Sequence, residues 1–175
     1  MEELCISGER AEVCPDTTSY NTVISAYARC GDASSAKRAE RLLRRMDQLS
    51  FGHEHGDLFS NCKPDIISYN TVINAWGRSK AFNAATRAES ILRHIDRQHS
   101  SGLSKVEPNI VTYTSTINAW AKSKEKNSAE RAEALLKRME LLYREGNEEL
   151  KPTVLTYNTG MGIQMISRRR RLSSH

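Results

Sequence analysis

Apolar residues recur along this chain at the spacing of one helix face. Tyr20, Val23, Ile24 and Tyr27 stand at i, i+3, i+4 and i+7, and Tyr69, Val72, Ile73 and Trp76 repeat the pattern. Ala39, Leu42, Leu43 and Met46 follow the same period in a second segment. A 3.6-residue period of this kind predicts amphipathic helices that bury one stripe.

The helices come in pairs, and the pairs are repeated. Pro15 to Ile24, Pro64 to Ile73, Pro108 to Ile117 and Pro152 to Thr159 align residue by residue, with their tyrosines at 20, 69, 113 and 157. A second element follows each of the first three: Lys37 to Met46, Thr86 to Ile95 and Glu130 to Met139. Asp16, Asp65, Asn109 and Thr153 follow the prolines. Their side chains accept bonds from the free N–H groups of a helix start, so they are expected to be N-caps. Gly31 and the polar run Ser123 to Ser128 mark turns between paired helices.

Tandem helical hairpins bury their stripes on one another, which predicts an all-α fold, an α-solenoid. The expected divisions are the end of a preceding repeat at 1–14, repeats at 15–63, 64–107 and 108–151, a partial fourth repeat at 152–167 and a basic disordered tail at 168–175. Both ends read as truncated, as in a fragment or a misjoined chain. Residues Leu49 to Lys63, with Gly52, Gly56, His53 and His55, read as a mobile polar loop.

Composition narrows the function classes. The 175 residues are 38% hydrophobic, 27% charged and 6% aromatic, too apolar for disorder and without an apolar run of membrane-spanning length. The net charge is +5, but Arg168 to Arg171 supply four of those charges, so the body is nearly neutral. Cys5, Cys14, Cys30 and Cys62 form no C-x-x-C pair or disulfide framework. His53, Glu54 and His55 with Cys62 make a poor metal-ligand geometry, and no phosphate loop, nucleophile elbow or paired carboxylates are present. The chain is therefore expected to be neither an enzyme nor a cofactor protein.

Opposite the packing stripe, a second stripe recurs. At about 100° per residue, Thr18, Asn21, Ser25 and Arg29 share one side. Ile67, Asn70, Asn74 and Arg78 take that side in the second repeat, and Val111, Thr114, Asn118 and Lys122 in the third. Short amides and hydroxyls meet base edges, an apolar side chain lies against a ring, and one cation per repeat suits one phosphate per nucleotide. Tyr20, Tyr69, Tyr113, Trp76 and Trp120 lie in the other stripe and are expected to pack rather than stack on bases.

The P-D-x-x-S-Y-N-T-V-I opening and the A-E-x-L-L-x-x-M second helix resemble the pentatricopeptide repeat, in which each helical repeat reads one RNA base. The units here exceed the usual length of about 35 residues, with the excess in turns and connectors, where a solenoid tolerates insertion. The resemblance implies single-stranded RNA as the partner. It also implies base readout by Asn21 with Asp65 for uracil, Asn70 with Asn109 for cytosine, and Thr114 with Thr153 leaning towards purines. It implies base wedging by Thr18, Ile67 and Val111, and phosphate contact by Arg29, Arg78 and Lys122. It points to RNA metabolism in a mitochondrion or chloroplast, whether processing, stability, editing or translation; no membrane and no small-molecule substrate are expected. A protein-interaction scaffold using the same groove for a peptide is the other reading of the architecture. Asp65 and Asn109 are also readable as helix caps alone.

Overall fold

The computed structural model describes residues 15–51, 61–154 and 156–159. The expected preceding-repeat end at 1–14, residues 160–167 of the partial repeat, the arginine tail and the His53-Glu54-His55 cluster lie outside the described residues. Six α-helices and one 3-10 turn lie in full within the described residues, and no strand occurs among them. The helices are α1 (Thr17–Cys30), α2 (Ala33–Phe51), α3 (Ile66–Arg78), α4 (Ala84–Ser100), α5 (Ile110–Lys122) and α6 (Ser128–Arg144), followed by the 3-10 turn Glu148–Leu150. Val154 and residues 156–159 are also helical.

The start of each first helix is set by the residue after a proline. The Asp16 side chain accepts from the Ser19 N–H at the start of α1. Asp65 and Asn109 do the same for α3 and α5, and there Ser68 and Thr112 return a hydroxyl to the cap's own N–H, closing a capping box. Gly31 ends α1 at φ 73°, in the left-handed region where a side chain would be strained.

The chain forms an all-α solenoid of helical hairpins. Within each hairpin α1 packs on α2, α3 on α4 and α5 on α6, while along the array α1, α3 and α5 pack on one another. Each second helix also touches the next first helix, α2 on α3 and α4 on α5. The first helices thus form the closer-packed row and the second helices splay outside it. Ile24, Ile73 and Ile117 are fully buried along the first row, and Met46, Ile95 and Met139 along the second. Tyr20, Tyr69, Tyr113, Trp76 and Trp120 are buried as well.

Polar bonds fix the angle between hairpins. The Tyr69 hydroxyl donates to Asp47 Oδ1 at 2.7 Å, and His94 Nε2 stands 3.1 Å from Asp47 Oδ2. One repeat on, Arg138 reaches both the Tyr113 hydroxyl (3.3 Å) and Asp96 Oδ2 (2.9 Å).

Two expectations need correction. The spacing puts Val23 in the packing stripe, yet it is 46% exposed while its counterpart Val72 is fully buried. The preceding hairpin packs against α3, and among the described residues no helix lies on the corresponding side of α1. The expected loop from Leu49 to Lys63 is also shorter: α2 continues through Phe51, with Leu49 buried in register with Met46, and Cys62 is buried with its thiol donating to the Pro15 carbonyl.

Candidate nucleic-acid interface

The second stripe lies on the first-helix row, and its short polar residues meet across repeat boundaries. Asn21 Nδ2 donates to Asp65 Oδ1 at 3.2 Å and stands 3.4 Å from Oδ2, although 44 residues separate the two. Asn70 Nδ2 donates to Asn109 Oδ1 at 3.3 Å in the next junction. Repeat stacking therefore brings together the N-cap of one first helix and the amide of the helix before it.

The third pair is built differently. Thr114 does not reach Thr153 directly; its hydroxyl lies 3.3 Å from that of Thr156, which in turn lies 3.1 Å from Thr153 Oγ1. Thr156 is a member that the pattern of Tyr and Asn positions did not reveal. Ser68 is another: its hydroxyl donates to Asn21 Oδ1 at 2.6 Å. The signal was available, since a hydroxyl residue stands before every repeat tyrosine, at Ser19, Ser68, Thr112 and Thr156.

Hydrogen-bond accounting makes the two amide sites chemically different. Asp65 Oδ1 accepts from the Ser68 N–H and from Asn21, while Oδ2 has only the longer 3.4 Å contact with Asn21 and so keeps a lone pair to offer. An ionised carboxylate only accepts. Asn109 Oδ1 is already engaged by the N–H groups of Val111 and Thr112, the Thr112 hydroxyl and Asn70, which leaves its amide Nδ2 as the free group, a donor. Because Thr112 bonds Asn109 rather than Asn70, the buried Asn70 Oδ1 has no partner among the described residues, unlike Asn21 Oδ1.

The flanking positions face solvent. Ile67 and Val111 are 60% and 51% exposed, a cost for branched apolar side chains unless a ring covers them, and Thr18 is exposed too. Arg29, Arg78 and Lys122 sit in the last turns of α1, α3 and α5, exposed and without a salt bridge to any described residue. The stripe thus offers hydrogen-bonding groups, uncovered apolar side chains and unpaired cations in parallel lines.

The family description "PPR repeat" matches residues 18–51, and "pentatricopeptide repeat domain" matches residues 90–165. Between them the two matches span more than half of the chain. The chain belongs to the pentatricopeptide repeat family. The pentatricopeptide architecture is that of a general RNA-binding repeat protein, and members of the family are typically non-catalytic and commonly organellar. No curated protein matches the chain. No described helix of this pentatricopeptide array is long and apolar enough to cross a membrane, and no cluster of His, Cys, Asp and Glu fit to hold a metal occurs among the described residues.

Proposed function

We propose that the chain binds single-stranded RNA sequence-selectively, one base per repeat, over the repeats at 15–63, 64–107 and 108–151, in organellar RNA metabolism. The observation that carries this reading is the Asn21–Asp65 bond across a repeat boundary, matched by Asn70–Asn109. Each pair places two hydrogen-bonding side chains side by side at one step of the array, and a base edge needs two.

The free groups support the base assignments. Asp65 Oδ2 accepts the N3–H of uracil, and cytosine has no such hydrogen. Asn109 Nδ2 donates to cytosine N3, which in cytosine is an acceptor. Thr114 and Thr153, with hydroxyls that donate or accept, lean towards a purine. Thr18, Ile67 and Val111 slot between successive bases, and Arg29, Arg78 and Lys122 hold phosphates. With stacking contributing about 1–3 kcal/mol per base and three bases read, affinity is expected to be micromolar or weaker.

Fluorescence anisotropy of the full chain with short RNAs carrying U-C-purine from 5′ to 3′, scrambled RNAs and the matching DNA tests the reading. The U-C-purine RNA is expected to bind tightest. Replacing Arg29, Arg78 and Lys122 by Glu is expected to abolish binding, with helicity by circular dichroism retained. RNA affinity unchanged by that triple replacement, or equal for scrambled RNA, would overturn the reading and favour a peptide-binding scaffold.

A further inference from the structure

The turns between paired helices build a cleft at the edge of the base-reading stripe, sharing its cations Arg78 and Lys122 and adding residues that the stripe does not contain. A cavity of about 660 Å³ opens between the α3–α4 turn and the α5–α6 turn, beside the phosphate edge of the groove. Arg78, Lys80, Lys122 and Lys124 line it, with Phe82 at its mouth, and none of the four cations makes a salt bridge to a described residue. No acidic residue lines it. The floor is small: Gly77 and Ala119 face each other there, and a Cβ at 77 would lie 3.6 Å from that of Ala119.

Two features are costly to the fold by itself. Phe82 is 83% exposed, more than any other large hydrophobic side chain among the described residues. Lys80 has φ 54°, in the left-handed region, at the position eleven after the repeat tyrosine where the first repeat has Gly31 at φ 73°. A residue with a Cβ is strained in that conformation and glycine is not. The second repeat therefore keeps an ammonium group where the backbone favours glycine, and Lys124 stands at the same position in the third.

An aromatic face ringed by unpaired cations is the chemistry of a nucleotide site, base on ring and phosphate on ammonium. Asn70 and Asn109 already face one base at this junction, so a nucleotide in the cleft is not the one they read. We propose that the cleft takes an unread nucleotide: a base turned out of the strand between those facing the second and third repeats, stacked on Phe82, with its phosphates held by Arg78, Lys80, Lys122 and Lys124. This rests on the RNA-binding reading above. It makes that junction tolerant of one extra nucleotide in the target. The junction between the first and second repeats, which has Gly31 and Ala33 where the second repeat has Lys80 and Phe82, lacks that tolerance.

Anisotropy titrations of the full chain test this with three RNAs: contiguous U-C-purine, the same with one adenosine inserted after C, and the same with one inserted after U. The insertion after C is expected to bind close to the contiguous RNA and the insertion after U much more weakly. Phe82→Ala is expected to weaken the after-C insertion at least about fivefold, the lower end of one stacked base, and to leave the contiguous RNA within about twofold; Phe82→Trp restores the insertion. Lys80→Gly is expected to weaken the insertion without lowering Tm, which a merely structural lysine would not do. Contiguous binding with no tolerance after C, or tolerance that survives Phe82→Ala, overturns the cleft and leaves base readout standing. No binding of any RNA overturns both. Adenosine monophosphate bound through Phe82, with every RNA unaffected by Phe82→Ala, assigns the cleft to a free nucleotide and overturns the strand.

Discussion

The indole Nε1–H of Trp76 donates to Glu40 Oε2 at 2.9 Å, joining two buried side chains of successive repeats. Trp120 and Glu89 repeat the bond at 2.8 Å. The other oxygen of Glu40 takes Arg44 at 2.5 Å and Arg87 at 3.3 Å, and the Arg87 guanidinium stands over the Trp76 ring, 5.9 Å from its centroid. The A-E pairs Ala39-Glu40 and Ala88-Glu89 thus each supply a small residue for packing and a carboxylate that latches the next hairpin. Glu40→Ala leaves a buried indole N–H without an acceptor, at about 1–3 kcal/mol, and Glu40→Gln, which keeps a carbonyl oxygen, is expected to cost less. Urea denaturation followed by tryptophan fluorescence checks the order; equal losses for Ala and Gln would rule the latch out.

Base preference at the first junction is expected to follow one atom. Asp65→Asn replaces an acceptor by an amide that is able to donate, and Asn109 shows that asparagine caps a helix at this position equally well. The variant is expected to fold as the parent and to shift from U-C-purine to C-C-purine RNA, with a change of about tenfold in the ratio of the two affinities, or about 1.4 kcal/mol. Paired anisotropy titrations read the ratio directly. An unaltered ratio with RNA binding intact would mean that Asp65 serves only as a cap.

Acid sensitivity is expected at the start of α2. Asp32 Oδ1 accepts from the Ser34 and Ser35 N–H groups, each at 2.9 Å, and from the Ser34 hydroxyl at 2.7 Å. The side-chain bonds from Ser35 and Ser34, then the backbone bonds, hold its carboxyl well below the ordinary 3.8. A carboxyl with a lowered folded pKa adds stability above its unfolded value and loses it as pH falls through the folded one. Asp32→Ala is therefore expected to lower Tm at neutral pH, with the gap between the two proteins closing below pH 3.8. Thermal scans by circular dichroism across that range provide the check.

At the alkaline end the sign is opposite. Burial, then the charge and hydrogen bond of Asp47, push the Tyr69 phenol above its ordinary 10.0. Above pH 10 the unfolded chain releases that proton and the folded chain keeps it, so stability falls as pH rises. Tyr69→Phe is expected to cost about 1 kcal/mol at neutral pH, the net value of one hydrogen bond. The cost should shrink as pH climbs past 10, because the variant no longer has this group to titrate. Denaturant midpoints for the two proteins on either side of that pH test it.

Much of the fold was readable along the chain because its causes are local. The i, i+3, i+4 stripes of Tyr20, Ile24 and their counterparts need only a helix to become a face, and Asp16, Asp65 and Asn109 cap helices that begin one residue later. The site was legible in the same degree: residues at a fixed offset from each tyrosine share a side. What escaped that reading were residues whose role is set by a neighbouring hairpin, such as Ser68 on Asn21, Thr156 between Thr114 and Thr153, and Val23 without a helix against it.

The sequence by itself determined that helices form, where they start, that they pair, and which residue types line the side not used for packing. Each of those depends on backbone hydrogen bonds and side chains a few residues apart. The tertiary structure alone decided that Asn21 bonds Asp65, that the carboxylate keeps a free oxygen while Asn109 keeps a free amide, and that two turns enclose a cationic cleft under Phe82. Those partners stand about forty residues apart, so their distances follow from the angle at which hairpins stack. That angle is set by Glu40 on Trp76, Asp47 on Tyr69 and the buried first-helix row acting together.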